Sequence, residues 1–421
     1  SDNTRWRSTS PQALEVGNGM RIGLVIERFD PQRGGAEHWT YQHALALVRR
    51  GHEVHVVCES VGPAVGDAVT VHAFGRHRSR LARAAAAEQA LRALQLDVVH
   101  DIGVGWYSDV LQSEDGSRYA QWEQKLLTLP AALRPWKRAL IRVLPRYQEF
   151  RTLMDRQFRD PHRVVVAVSQ MCADHYQQYH EVPAARIRVV YHGTDTTRFS
   201  PKHRRTFREP IRHLLGIAED EVMFLFVGHD FVRKGLATAV RAVRRLAVEG
   251  CPTRLVVVGE SQARWQKNGG DNLRRVVQFV GRVADAVPFY AAADALVLPT
   301  FYDPCSLTVG EAWACGLPVV TSRANGASEM LSDGRDGMIL DDPADDVALC
   351  AQLRRLVDSR TREQMGAAAR QTALRYPLER NCDEIEDVYE AVIRQRSARR
   401  TSAIPRPRTA RRPVFSLLGK F

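Results

Sequence analysis

The chain has 421 residues, 44% hydrophobic and 26% charged, with a formal charge of +12. That length exceeds one comfortable hydrophobic core and predicts two domains, while no run approaches the roughly 18 apolar residues of a membrane span. Seven cysteines, without a C-x-x-C pair or a Cys/His cluster at zinc spacing, exclude a disulfide framework and a structural metal and fit a reducing cytoplasm. The positive charge is local. Arg394–Phe421 holds nine Lys/Arg and no acid, and Arg134–Arg163 holds nine against Glu149, Asp155 and Asp160. These segments carry +9 and +6, and the remainder is −3. The body therefore has no general polyanion-binding character, and the basic residues lack the interleaved aromatics of a nucleic-acid groove.

Residues 1–19 are polar, with neither an initiator methionine nor an apolar signal segment, and read as a trimmed or tagged leader outside the fold. From residue 21 to about 375, short Val/Ile/Leu runs alternate with amphipathic stretches, the pattern of buried parallel strands joined by crossover helices. Strands are expected at Arg21–Glu27, Glu53–Cys58, Asp97–His100, Arg163–Ser169 and Ile187–Tyr191. A second set is expected at Val222–Gly228, Arg254–Gly259, Val277–Val280, Ala295–Pro299, Pro318–Thr321 and Gly337–Leu340. Between the sets, Gly193–Glu209 has linker composition. Helices follow at Pro343–Ser359 and Thr361–Arg375, and the Tyr376-Pro377 step turns the chain into a last helix ending near Arg394. The expected domains are 20–195 and 196–376, with 377–396 as a returning helix and 397–421 as a basic disordered tail.

Two segments carry candidate chemistry. In FVGHDFVRKGLATAV a strand leads through Arg233 and Lys234 to a helix starting at Gly235, an anion site suited to a diphosphate. In FYDPCSLTVGEAWACG, Asp303 stands before a helix and Glu311 within it, with the amides of Cys305, Ser306 and Leu307 between them. One carboxylate is placed to accept sugar hydroxyls and the other ribose hydroxyls, while the amides face phosphate oxygens.

Taken with QRGGAEHW, VAVSQ, VVYHGTDTTRFSP, VQFVGRV and NGASEML…DGRDGMIL, these segments occur in an order that resembles the retaining glycosyltransferases of family 4, over about residues 21–395. Within that family the chain is most similar to the lipopolysaccharide-core glucosyltransferases. The resemblance implies the GT-B fold: two facing Rossmann-like domains, the first on the acceptor side and the second holding the donor, with the last helix crossing back to the first domain. It implies hexosyl transfer, glucose foremost, from a nucleotide diphosphate sugar such as a UDP-sugar to a glycan or glycolipid of the cell envelope. No metal is required, because cationic side chains and helix dipoles do its work. Arg233 and Lys234 would bind the diphosphate, Glu311 the ribose and Asp303 the transferred sugar. Arg282 and Val283 would lie near the base, and Gly34 and Gly35 would approach the phosphate from the first domain. The family pattern usually has Glu where this chain has Asp303. On the acceptor side, in GVGWYSDVLQSEDG, Asp109 is the best match to the family's aspartate, with Asp101 and His100 competing.

Arg134–Arg163 interleaves Trp136, Leu140, Ile141, Val143 and Leu144 with basic residues, a composition suited either to an anionic membrane surface or to an ordinary packed surface helix. A lipid-borne acceptor, which the resemblance implies, favours the membrane and a peripheral place at its cytoplasmic face. Two alternatives use the same fold: a nucleotide-sugar epimerase, against which the basic segment argues, and a non-catalytic carbohydrate-binding relative, in which the donor constellation would have decayed.

Overall fold

The computed structural model describes residues 19–259 and 275–402, with side chains to residue 399. The expected leader and the end of the basic tail lie outside the described residues.

Two parallel sheets organise the chain. The first has seven strands in the order β3-β2-β1-β4-β5-β6-β7: β1 Arg21–Phe29, β2 Glu53–Val61, β3 Thr70–Ala73, β4 Val98–Asp101, β5 Val110–Gln112, β6 Val164–Ala167 and β7 Ile187–Val189. The second has six in the order β10-β9-β8-β11-β12-β13: β8 Val222–Val227, β9 Thr253–Val258, β10 Val277–Gly281, β11 Ala295–Leu298, β12 Val319–Ser322 and β13 Gly337–Leu340. Each order reverses once, between β1 and β4 and between β8 and β11. In an open α/β sheet the ligand crevice lies outside the carboxyl ends of the strands flanking such a reversal. The central strands are buried on both faces, as their continuous apolar runs require.

β3 and β5 escape sequence reading because neither carries a distinct apolar run: β3 is the half-exposed segment Thr-Val-His-Ala, and β5, Val-Leu-Gln, sits within a polar stretch. Helix α7, Arg204–Leu214, begins inside the segment expected to be linker. It is held by tertiary contacts rather than propensity: Arg208 and Arg212 donate to Asp294 at 2.8 and 3.1 Å.

The last helix, α13 Leu378–Ser402, packs on the first domain, so the chain has the two facing Rossmann-like domains and returning helix of the GT-B fold. Ile385, Val388, Tyr389 and Val392 join one core cluster with Ile22, Leu24, Val54 and Val98. The Tyr389 hydroxyl meets His43 Nε2 at 3.1 Å and His100 Nδ1 at 2.7 Å, and Trp39 donates to Asn381 at 3.0 Å. The helix runs past its expected end, and Arg396 lies 3.6 Å from Asp109. The chain crosses between domains at Gly193 and at Tyr376-Pro377, where Thr194 bridges Pro377.

Candidate active site

Between the carboxyl ends of the two sheets lies a cleft of about 540 Å³ lined by both domains. Its second-domain wall grows from the turns after β8 and β11. β8 is a six-residue apolar strand with no polar side chain, so its chemistry begins where it ends, at Gly228 and the loop to helix α8, Leu236–Val248. Gly235 caps that helix at φ +79°, and a Cβ there would fall 1.9 Å from the Pro299 carbonyl oxygen. Only glycine fits both demands. The helix sits inward through Leu236, Ala239, Val240, Val243 and Leu246, a 3–4 spacing that leaves Arg241, Arg244 and Arg245 outside. Its first amide, Leu236, is taken by the Phe231 carbonyl at 3.0 Å, so Arg233 and Lys234, rather than the helix end, face the cleft. The Arg233 guanidinium is braced on the Tyr302 carbonyl at 2.7 Å.

Lys234 Nζ contacts Asp303 Oδ2 and lies 3.4 Å from Ser306 Oγ. Burial pulls the Lys234 ammonium below the usual lysine range, which Asp303 only partly offsets. Burial alone would raise Asp303, yet Lys234 and Arg233 together hold it below the usual carboxylate range. The two side chains thus form a buried, charge-assisted contact in the cleft wall. Glu311 lies on helix α10, Leu307–Ala314, and accepts from the Tyr290 hydroxyl at 2.6 Å; burial holds its carboxyl above the ordinary range. Asp303, Cys305, Ser306, Leu307 and Glu311 all line the cleft. One expected donor is already engaged, because the Ser306 amide donates to Asn325 Oδ1 at 3.2 Å.

The first-domain wall brings Gly34 and Gly35, at the start of helix α1, Gly35–Arg49. Gly34 is extended, at φ −168°, and a Cβ on Gly35 would meet Leu307 Cδ1 of the other domain at 3.4 Å. Arg282 and Val283 line the cleft beside this turn, with Arg282 donating to the Gln32 carbonyl across the domains.

The three acceptor-side candidates do not reach the cleft. Asp109 precedes β5, and its register beside Val99 puts it at the amino end of the strand. There it accepts from the Val99 amide at 2.9 Å and faces Arg396. His100 is fully buried against Tyr389, and burial drives its imidazole well below the usual range. Asp101 is fully buried, accepting from the amides of Gly103, Val104 and Gly105 at 2.6–2.8 Å; burial raises it to about 6 despite those bonds. All three hold the sheet and its loop together.

The first-domain carboxylates that do line the cleft are Glu27, Glu37, Glu114 and Asp115. Glu114 is fixed by His192 Nε2 at 3.1 Å and Gln112 Nε2 at 2.7 Å, and Asp115 pairs with Arg118. Gly116, at φ +65°, lies so near the other domain that a Cβ would come within 2.3 Å of the Tyr302 hydroxyl. That approach sets the 114–116 turn beside the Asp303 loop. The signal was available: in a parallel sheet, reactive groups follow strands, and recognising β5 at Val110–Gln112 moves attention from the residue before it to the residues after it.

A family model described as glycosyl transferases group 1 matches residues 221–359, and one described as glycosyltransferase family 4 matches 33–113 and 119–198. Together they take in both walls of the cleft, and the chain belongs to these glycosyltransferases. Among curated proteins it is 30% identical over 269 residues to a D-inositol 3-phosphate glycosyltransferase of Geodermatophilus obscurus, covering 60% of this chain and 56% of that one. A protein of the same name from Thermobifida fusca is 31% identical over 235 residues, 52% of each chain. The matches thus span about half the length of the curated relatives. Among solved structures, WaaG, a glycosyltransferase involved in lipopolysaccharide biosynthesis, superposes with a TM-score of 0.75 at 22% identity, covering 87% of this chain and 99% of that one. Anabaena HepE in complex with UDP-glucose gives 0.67 at 18% identity, covering 88% and 100%. Both share the GT-B fold.

Proposed function

We propose that this chain transfers a hexosyl group, with retention, from a nucleotide diphosphate sugar to a hydroxyl of a glycan or glycolipid acceptor. The observation that carries the reading is the second-domain wall: two cations and two carboxylates converge on one side of a two-domain cleft. Arg233 and Lys234 meet the diphosphate, Glu311 the ribose and Asp303 the sugar, with Arg282 and Val283 beside the base. An acceptor oxygen bonds to the anomeric carbon as its bond to the diphosphate oxygen breaks, and the leaving charge falls on Arg233 and Lys234. The acceptor's proton passes to Asp115 or to the leaving diphosphate. UDP-glucose is the donor we favour, since HepE is described in complex with it. The donor site needs no metal, because its own cations neutralise the diphosphate. Purified protein offered a panel of UDP-, GDP- and ADP-sugars in EDTA should cleave one of them. Failure with every donor would sink the proposal.

The acceptor we favour is lipid-borne. Helix α4, Arg134–Val143, leaves Trp136 75% and Val143 69% exposed among Arg and Lys, and the following helix α5, Pro145–Arg159, lends Phe150 and Leu153 to the cleft. The basic segment therefore reaches the cleft through α5. No helix among the described residues is long and apolar enough to cross a membrane. Each basic residue near an anionic surface contributes about 1 kcal/mol, screened over about 8 Å. Anionic vesicles should bind a chain truncated after residue 402 at low salt, and changing Arg138, Arg142 and Arg146 to glutamate should abolish that binding. If the truncated chain ignores anionic vesicles, a soluble acceptor takes precedence.

A further inference from the structure

Glu329 has no part in the donor site described above, yet it makes a three-point contact between the domains. It lies in a 3₁₀ turn of the second domain, Gly326–Met330. Its two carboxylate oxygens accept from the amides of Gln170 and Met171, each at 2.7 Å. Those residues open helix α6, Gln170–His180, of the first domain. One of the same oxygens accepts from the Tyr191 hydroxyl at 2.8 Å, and Tyr191 stands two residues before the crossing at Gly193. A carboxylate on a helix amino terminus gains from both the unpaired N–H groups and the helix dipole.

The turn that carries Glu329 is built on the Asp303 loop. The Asp303 amide donates to the Ala324 carbonyl at 2.9 Å, and the Gly326 amide donates back to the Asp303 carbonyl at 2.9 Å. Asn325, fully buried, accepts from the Ser306 amide. The same first turn of α6 grips this loop a second time, since the Ser169 hydroxyl donates to the Pro304 carbonyl at 2.7 Å. One helix end of the first domain thus holds the segments on either side of the donor-sugar carboxylate, one through a side chain of each domain.

We propose that Glu329 is a positioning residue that couples closure of the two domains to the placement of Asp303 and Ser306. When the domains separate, the α6 amides leave Glu329, the 324–330 turn loses its outer support, and the Asp303 loop loosens with it. When they close, the carboxylate regains its three donors and the loop is set for the sugar. The role in turnover rests on the transfer reading; the mechanical coupling does not.

Hydrogen exchange of the full chain without substrate tests the coupling directly. Glu329→Gln keeps the shape of the side chain but removes the charge and one of the two acceptors. Exchange should rise about fivefold at 170–171 and, decisively, also at the amides of Asp303, Cys305 and Ser306, the loosening a lost helix-terminal charge produces. Tyr191→Phe should give a smaller rise at the same two places. With UDP-glucose as the probe donor, Glu329→Gln should lower kcat about fivefold with little change in KM, and Glu329→Asp, one methylene too short, should not restore it. Exchange that rises at 170–171 alone makes Glu329 a local helix cap and overturns the proposal. If the wild-type chain cleaves no sugar nucleotide, the transfer reading fails while the exchange result still decides the coupling.

Discussion

The two walls of the cleft hold charge in different ways. On the second domain the pair Lys234 and Asp303 is 12% and 9% exposed, braced by Ser306 and by Arg233 on a main-chain carbonyl. On the first domain Glu114 is likewise held in a buried pair with His192, but two other pairs lie open: Asp115 is 56% exposed beside Arg118, and Glu27 is 39% exposed beside Arg83. Phe150 lies under the guanidinium of Arg80 at 3.8 Å and that of Arg118 at 4.9 Å. Buried charges cannot reorient without large cost, so the second-domain wall is the rigid one, as the proposed donor site requires. Exposed pairs exchange partners with water cheaply, so the first-domain wall is the more adjustable one. The difference teaches where specificity is rigid and where it is adjustable.

The largest effect should come from breaking the rigid wall. Lys234→Ala should lower turnover of the preferred sugar nucleotide about a hundredfold, on the order of the ~3 kcal/mol one preorganised donor to a transition-state charge supplies. An unchanged turnover number would remove this loop from the diphosphate site. Next, Gly235→Ala places a side chain at φ +79° against the Pro299 carbonyl. It should cost about 2–3 kcal/mol of stability, read from the urea midpoint, and should lower donor affinity together with stability. The equivalent change at Gly216, also at positive φ but with open space around it, should cost clearly less.

The adjustable wall should yield less. Asp115→Asn should lower transfer to acceptor about tenfold, near 1.4 kcal/mol, while leaving hydrolysis of the sugar nucleotide closer to wild type. Asp109→Asn, at the far edge of the sheet, should leave both within about twofold. The reverse ranking would restore Asp109 as the acceptor-side residue. The smallest effect concerns pH. Burial raises the Glu311 carboxyl, so its anion, the form that the proposed ribose contact requires, predominates only above that raised value. Binding of UDP should therefore weaken as pH falls, beginning above the ordinary glutamate range near 4.5. Calorimetric titrations in Glu311→Gln should lack that limb, and a limb of equal size in the variant would assign it to another group.

Much of the donor wall was legible in the sequence because its determinants are local. Arg233, Lys234 and Gly235 are adjacent, and Asp303 to Glu311 fit within one strand-loop-helix step, so each group is placed by its own local spacing on the second-domain wall of the cleft. The six strands of the second sheet are long enough, and apolar enough, to announce themselves. The returning helix was also legible, through the Tyr-Pro step and the family resemblance.

The acceptor wall was decided elsewhere. Asp109, Glu114 and Asp115 lie within seven residues of one another, and only the three-residue strand β5, defined by pairing with β4 and β6, sends the first to the amino edge and the others to the cleft. A strand that short owes its existence to its neighbours rather than to its own sequence. Likewise, nothing local tells that the carboxylate of Glu329 reaches the amides of Gln170 and Met171, some 158 residues away in the chain. The sequence by itself determined the two local groups of cations and carboxylates on the second-domain wall. Which first-domain carboxylates line the cleft, and that Glu329 bridges to the other domain, were settled by strand pairing and domain contact, interactions whose energy depends on segments meeting that are remote in the chain.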